Sequence, residues 1–130
     1  MADGPFREQI RRLVERLPGG VAAVLMGFDG ITVDAYVQPR EAAQHGGGPL
    51  PDIQTMSMEF AHLFAQARRT LQSLEAGALE EFTLRTDLLT LAVRVLTPEY
   101  FLACVVRPTG NLGKARYLMR LTAPGLRADL

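Results

Sequence analysis

The residues of this sequence that come nearest to a chemical motif follow Pro108. The segment Gly110-Asn-Leu-Gly-Lys114 lies where a helix should begin, which is also the setting of a phosphate-binding loop. Its spacing is too short for the Walker pattern, and Ala115 stands where a hydroxyl residue would hold magnesium. We therefore interpret the segment as a helix cap. Gly46-Gly47-Gly48 is not followed by Lys-Ser/Thr, and we interpret it as a linker. No bound cofactor is predicted.

The histidines and the cysteine do not form a predicted reactive site either. His45 and His62 are the only histidines and have no second His or Cys nearby, so a zinc site is not expected. Cys104 lies in the most apolar stretch with no base beside it, which indicates a core residue rather than a nucleophile. Glu80 and Glu81 could form a carboxylate site only through long-range contacts. We predict no catalytic residues, no metal and no enzymatic activity.

Length and charge restrict the class of protein. The 130 residues fit one domain, and 48% of them are hydrophobic, as in ordinary globular proteins. The 14 basic residues balance 14 acidic ones, which argues against nucleic acid or an anionic membrane as the main partner. A single cysteine suits a reducing compartment. Residues 1–20 lack the apolar stretch of a signal peptide, and no apolar run reaches membrane-spanning length. We expect a cytoplasmic protein without membrane insertion.

The first part of the chain predicts a helix and a β-hairpin. Asp3 is a candidate cap for the helix, whose apolar residues recur at helical spacing. Residues 21–26 are apolar at both odd and even positions, which predicts a strand covered on both faces. Asp29-Gly30 is typical of a turn, and the alternation of apolar and polar residues over 31–37 predicts a half-buried second strand. The apolar positions of the helix are Phe6, Ile10, Leu13, Val14 and Leu17.

A second helix, three strands and a third helix follow the Gly-rich loop 38–51. Asp52 is the predicted N-cap of a helix that runs to about Leu74. We expect the apolar residues of this helix to face the core in one arc, and they are Ile53, Met56, Phe60, Leu63, Phe64, Ala67, Leu71 and Leu74. Strands are predicted at 79–86, 89–95 and 101–106. The last helix begins after Asn111 and ends at Pro124-Gly125, with its inner side formed by Leu112, Ala115, Leu118, Met119 and Leu121.

These elements predict an α/β (α+β) fold in three layers. The two strands that are apolar at every position belong in the middle of the sheet, and the alternating strands belong nearer its edges. Hairpin adjacency then gives a five-stranded antiparallel sheet of order 2-1-5-4-3 with helices on both faces. We assign residues 1–122 to a single domain and expect residues 123–130 to form a flexible tail.

The third strand lies at an edge of this sheet and could pair with a second copy of the chain. In an antiparallel pairing about Thr83, Glu81 would lie opposite Arg85 of the other copy. Phe82 would then lie opposite Leu84. Facing opposite charges favour this register by about 0.2 to 1 kcal/mol per pair. We therefore predict a homodimer with residues 81–85 at its interface. In the alternative, Glu81 and Arg85 are solvated charges that protect the edge of a monomer.

The back of the second helix is a candidate surface for another partner. Its small alanines would allow close approach, and Met58 and Arg69 are residue types favoured at interfaces. The alternative is an ordinary solvent-exposed face with helix-favouring alanines. The predicted partner-binding residues are Gln54, Met58, Ala61, His62, Ala65, Arg69 and Gln72.

The element order and two segments of the sequence resemble the roadblock (dynein-light-chain-like) superfamily, and within it the bacterial MglB-like proteins. The segments are the strand-Asp-Gly-strand stretch 20–37 and Asn111-Leu-Gly-Lys-Ala-Arg-Tyr117. The resemblance covers nearly the whole chain. It implies a homodimer with one continuous sheet that binds a small Ras-like GTPase or a motor complex. The partner-facing surface would be the second helix, where Ala61 and Ala65 correspond to the family's small-residue stripe.

The leading hypothesis is a homodimeric, non-catalytic regulator of an MglA-like GTPase in gliding motility or cell polarity. As the resemblance implies, such a regulator supplies no arginine finger and remodels the GTPase so that its own residues complete the site. The second hypothesis is a structural roadblock scaffold that tethers other proteins without binding a GTPase. An enzyme would need a pocket with convergent polar groups, which no spacing in the sequence suggests.

Overall fold

A computed structural model describes residues 4–39 and 52–130 of the chain. In chain order the elements are α1 (Arg7–Arg16), β1 (Gly20–Gly27), β2 (Thr32–Val37), α2 (Ile53–Ser73), β3 (Glu81–Arg85), β4 (Thr90–Val95), β5 (Tyr100–Val106) and α3 (Leu112–Ala128). The strands form one antiparallel sheet of order β2-β1-β5-β4-β3. The predicted strand order is confirmed. The predicted cap Asp3 and most of the loop 38–51 lie outside the described residues.

The sheet separates two hydrophobic cores. The helices α1 and α3 pack on one face, against residues such as Ala23, Leu25 and Cys104. The helix α2 packs on the other face, against Val24 and Phe101 among others. Every residue of β1 is buried, and so is every residue of β5 after Tyr100. This double covering explains why both strands are apolar at odd and even positions.

The β1–β2 turn forms as the sequence predicts. Gly30 adopts φ of +87°, a conformation that is strained for a residue with a side chain. The Asp29 carboxylate accepts a hydrogen bond from the Ile31 amide at 3.0 Å. The half-buried pattern predicted for β2 is only partly correct, because Ile31 and Val33 are exposed while Asp34 is buried. Arg7 of α1 makes this burial possible, since its guanidinium pairs with the Asp34 carboxylate at 2.7 Å.

The second helix is rotated about its axis relative to the prediction. Leu63 is 43% exposed and Leu74 is 70% exposed, although both were expected in the core. Ala61 is fully buried, although it was expected on the outer face. Ala61 belongs to the same core as Ala22 and Ala103 of the sheet, so small residues occur on both sides of the helix–sheet contact. We attribute the rotation to the close approach that these small side chains allow.

The third helix is longer than predicted. It continues through Pro124 to Ala128, so the prediction that it ends at Pro124-Gly125 is wrong. Leu126 is fully buried, and the Arg127 Nε donates to the Leu96 carbonyl at 2.8 Å, so the segment expected to be a flexible tail packs on the domain. Burial outweighs the backbone hydrogen bond that a proline removes. Leu121, predicted to face inward, is 54% exposed.

None of the helices that the structure describes is long and apolar enough to cross a membrane. The division of the chain into one domain remains a prediction.

Candidate interaction surface

The strand β3 forms one edge of the sheet. Among the described strands it is hydrogen-bonded to β4 alone. Phe82 and Leu84 are half-buried and pack towards the core under α2, while Glu81, Thr83 and Arg85 are exposed on the other face. The five residues predicted as a dimer interface therefore occupy an open edge, with apolar and polar side chains on opposite faces.

An apolar groove runs beside this edge. Its volume is about 360 Å³, and it lies between the N-terminal half of α2 and the edge strand. The exposed Leu88, at 47%, is part of its wall. The groove is lined by Thr55, Met56, Glu59, Phe60, Leu84, Thr86, Leu88 and Leu89. A groove of this composition at an open edge leaves apolar surface in water that a second protein surface could cover.

The groove continues along α2 as a stripe of apolar residues. Residues spaced by three or four positions lie on the same side of a helix, so the side of α2 that carries Met56 and Phe60 also carries Leu63, Ala67 and Leu74. This spacing follows a heptad pattern, which is typical of helices that pack side by side. We call Met56, Phe60, Leu63, Ala67, Leu74, Leu84 and Leu88 the apolar seam.

The spacing of apolar residues in α2 predicts that all helical members of the apolar seam face the core. Met56 is buried there and Phe60 packs against it, whereas Leu63 and Leu74 are exposed. The sequence does contain a pattern that distinguishes the exposed residues from the core residues of α2. The predicted arc has more apolar positions than one buried face needs. A heptad subset, residues 56, 60, 63, 67 and 74, lies within that arc. The exposed residues missed in this way are Leu63 and Leu74, and Leu88, after β3, was not singled out at all.

Glu81 has partners within the chain. Its carboxylate lies 2.9 Å from the Arg116 guanidinium and 3.5 Å from that of Arg94. The hydrogen bond from Arg116 holds the pKa of the Glu81 carboxyl below its ordinary value. Arg85 donates to the Pro108 carbonyl at 3.2 Å. An intermolecular Glu81–Arg85 contact would therefore add to existing interactions rather than satisfy free charges.

We expect Glu81→Gln to lower stability modestly, by about 0.2 to 1 kcal/mol at pH 7, since the ion pairs are partly exposed. The folded-state pKa of Glu81 is lowered, so its contribution is present above the unfolded pKa. It is lost as pH falls through the folded pKa. Urea unfolding of both proteins from pH 7 to pH 3, at one protein concentration, should give curves that converge below pH 4.5.

The control for this measurement is Glu80→Gln, because the Glu80 carboxylate makes no ion pair with the residues that the structure describes. A constant difference between Glu81→Gln and the unmodified protein down to pH 3 would contradict the assigned ion pairs.

The outer face of α2 contains most of the predicted partner-binding residues. Met58, His62, Arg69 and Gln72 are exposed, and Met58 is 44% accessible. Ala65 is half-buried, and the side chain of Gln54 lies outside the described part of the structure. The prediction that Ala61 binds a partner is wrong, because Ala61 is fully buried and cannot be part of a docking surface. The stripe of two alanines is therefore not exposed as the sequence suggested, and the available face consists of Met58, His62, Arg69 and Gln72.

The neighbourhood of Met58 joins α2 to the β1–β2 turn. A Cβ atom added at Gly30 would lie 3.4 Å from the Met58 Cγ, so the turn and the helix are in contact. Ile31, next to this turn, is 67% exposed. Arg69 donates to Gln66 at 2.8 Å. The outer face of α2 and the turn together present adaptable apolar side chains, with the cation of Arg69 about three turns farther along the helix.

The residues considered for chemistry have structural roles. The Asn111 side chain accepts a hydrogen bond from the Lys114 amide at 3.0 Å, which confirms the helix cap. Cys104 is fully buried, as predicted, and burial raises the pKa of its thiol to about 12. Within residues 4–39 and 52–130, no cluster of His, Cys, Asp and Glu could hold a metal ion.

We expect Cys104 to resist thiol reagents in the folded protein, because the raised pKa leaves almost no thiolate at pH 8 and the side chain is inaccessible. Labelling with a chromogenic disulfide should proceed only as fast as the protein opens, and urea should bring it to completion. Rapid stoichiometric labelling under native conditions would contradict this burial. The proposed interfaces do not include Cys104, so the measurement reports opening of the sheet.

The chain is similar in structure to several solved proteins. A Roadblock/LC7 domain from Streptomyces avermitilis is 18% identical, with 98% of this chain and 97% of that chain covered and a TM-score of 0.77. MglB in a tetrameric arrangement is 17% identical, with 98% and 91% covered and a TM-score of 0.80. MglC from Myxococcus xanthus is 31% identical, with 98% and 100% covered and a TM-score of 0.68. This chain belongs to the roadblock superfamily.

The resemblance to this superfamily in the sequence is thereby confirmed. The likeness to MglB and to the Streptomyces domain, below 20% identity, is one of fold. The alignment with MglC covers nearly all of this chain and all of that chain. No protein-family model and no curated protein matches the sequence.

Proposed function

We propose that this roadblock protein is a cytoplasmic homodimer that regulates a small Ras-like GTPase of the MglA type without catalysing a reaction itself. The observation that carries the proposal is the apolar seam, which follows the open edge of β3 and one side of α2. Leu63 on α2 and Leu74 at its C-cap are exposed, and the groove has a volume of about 360 Å³. Apolar surface of this extent is better covered by a second protein than left in water.

A second copy fits this seam by symmetry. Antiparallel pairing of two β3 strands about Thr83 would set Phe82 opposite Leu84 of the other copy, and the two α2 helices would lie side by side on the same face of the joined sheet. The heptad spacing of the seam suits that helix contact. The tetrameric arrangement of MglB gives independent support for self-association in this fold.

The dimer would present two outer faces of α2 as one platform for the GTPase. Met58 and His62 offer contact area, and Arg69 offers a cation held by Gln66. The GTPase as the partner is what the resemblance of the sequence to MglB-like proteins implies. The solved structures of similar fold include the gliding protein MglB of Thermus thermophilus, at 18% identity. The regulator would act by reshaping the GTPase so that the GTPase's own residues complete its site. Gliding or polarity signalling is the corresponding context.

The direct test is titration of the protein into a GTP-loaded MglA-like GTPase, with binding measured by calorimetry and hydrolysis by phosphate release. Met58→Glu should weaken binding at least tenfold, because it places a charge in the contact. Leu121→Glu is the matched control, since Leu121 is a similarly exposed apolar residue on α3, across the sheet from α2. The absence of both binding and faster phosphate release would refute the GTPase proposal. The Ala61→Arg substitution is unsuitable here, because it would disrupt the core.

A scaffold that binds no GTPase is the alternative proposal. The observation that favours it is the 31% identity with MglC, compared with 17% for the tetrameric MglB. In that case the same titration should give no binding to the GTPase, and binding to an MglB-type roadblock dimer should be sensitive to Met58→Glu. Binding to neither protein would remove both uses of this face.

A further inference from the structure

A cleft of about 310 Å³ opens at the end of the sheet where β4 leads into β5. It shares no residue with the apolar seam, and of the outer face of α2 it includes Gln72 alone. Its walls come from α2, from the segment before β3, from the β4–β5 connection and from α3. It is lined by Arg68, Gln72, Gly77, Ala78, Leu79, Glu80, Arg94, Val95, Leu96, Thr97, Pro98 and Arg127. Three arginines therefore line one small cleft, and Glu80 is the only acidic residue among the lining residues.

Two of the three guanidinium groups are held by uncharged acceptors and form no salt bridge with another residue that the structure describes. Arg68 donates to the Pro98 carbonyl at 2.8 Å, and its guanidinium carbon lies 4.0 Å from the centre of the Phe28 ring. Arg127 donates to the Leu96 carbonyl at 2.8 Å. A carbonyl oxygen holds a guanidinium but carries no net charge. Both arginines thus keep a full positive charge and further N–H donors.

The third arginine has a buried donor without an acceptor. The Arg94 Nε atom is inaccessible to solvent and makes no hydrogen bond within the described residues. Another nitrogen of the same group lies 3.5 Å from the Glu81 carboxylate, which Arg116 binds more closely at 2.9 Å. A buried donor left unpaired is unfavourable, and a rotation of the Arg94 side chain towards an oxygen-rich anion in the cleft would relieve that cost.

We propose that this cleft binds a phosphate monoester. Glu81 is shared between Arg94 and Arg116, so the three guanidinium groups of the cleft and that of Arg116 exceed the carboxylates of Glu80 and Glu81 by two positive charges. A group that carries nearly two negative charges matches this excess better than a single carboxylate does. The planar donors of arginine suit the oxygens of a phosphate. The cleft has room for the phosphate and part of the group that carries it. The proposal does not depend on the dimer or on the GTPase.

The test is an NMR titration of the intact protein at low ionic strength, first with inorganic phosphate. Saturable shifts of the amides in residues 77–80 and 95–97 are expected. Arg94→Gln should weaken binding about tenfold, because it removes one charge and its hydrogen bonds. Arg120→Gln is the matched control, since Arg120 is an exposed arginine on α3, as Arg127 is, but is not part of the cleft. Its affinity should equal that of the unmodified protein.

A second variant guards against misfolding. Arg127→Gln changes another wall of the cleft, and thermal unfolding of both variants checks that the fold is retained. If neither variant remains folded, a tenfold weakening on raising the sodium chloride concentration, with shifts confined to the same amides, takes their place as the supporting result. Shifts scattered over all basic residues, no saturation, or equal weakening by Arg120→Gln would overturn the proposal.

Two further probes identify where the phosphate comes from. Glycerol 3-phosphate represents a small metabolite, and a phosphoserine peptide represents a modified protein. Each is compared with its unphosphorylated form. Tighter binding of either phosphorylated probe, lost in Arg94→Gln, supports the proposal and names the source. Equal binding of the phosphorylated and unphosphorylated forms refutes it.

Discussion

Leu63→Glu is expected to convert the proposed homodimer into a monomer, raising its dissociation constant at least a hundredfold. The substitution would place a carboxylate in the apolar seam, where dimer formation would remove it from water without a paired cation. In the monomer Leu63 is already 43% exposed, so the fold should tolerate the change. Sedimentation velocity over a range of protein concentrations measures the shift.

Leu121→Glu again provides the control, because Leu121 is 54% exposed on the opposite face of the sheet. Its dimer should dissociate at the same concentration as that of the unmodified protein. A dimer that survives Leu63→Glu unchanged would contradict the seam as the contact surface. An unmodified protein that stays monomeric at high concentration would contradict the proposed dimer itself.

Phe64→Ala is expected to lower the free energy of unfolding by about 3 to 5 kcal/mol. Phe64 is 1% exposed and is the centre of an aromatic cluster. Its ring centroid lies 5.0 Å from that of Phe82 and 5.3 Å from that of Phe101, with Phe60 stacked at 6.0 Å. Truncation would leave a cavity where the helix, the edge strand and the central strand meet. Urea unfolding at a fixed protein concentration measures the loss.

The control for this second substitution is the neighbouring Leu63→Ala. Because Leu63 is largely outside the core, its truncation should cost less than about 1 kcal/mol in the monomer, measured below the dimer's dissociation constant. Similar losses for the two variants would contradict the rotation of α2 that the structure describes. The two substitutions, at adjacent residues, thus distinguish the contribution of core packing to stability from that of the apolar seam.

The sheet was predictable because its chemistry is local and repetitive. Residues 21–26 and 101–106 are apolar at every position, and only the middle of a covered sheet accommodates that pattern. Short turns, such as Asp29-Gly30, then fixed which strands are neighbours. No comparable constraint fixed the rotation of α2. Its apolar arc was wide enough for two surfaces, and the choice between them depended on the fit of Ala61 against the sheet.

The end of α3 was mispredicted for a related reason. Proline and glycine are local signals for the end of a helix, but Leu126 and Arg127 gain contacts with the rest of the domain that the local sequence does not reveal. The edge strand of the candidate site was predictable from alternation. The groove and the arginine cleft were not, because residues 68, 94 and 127 come together only in the folded chain.

The strand order β2-β1-β5-β4-β3 has a consequence for synthesis on the ribosome. The hairpin of β1 and β2 can form early, but the other side of β1 waits for residues 100–106, which are synthesised much later. During that interval a fully apolar strand has an unpaired edge. Nascent chains of this protein are therefore expected to associate with chaperones until β5 inserts between the two hairpins and closes the sheet.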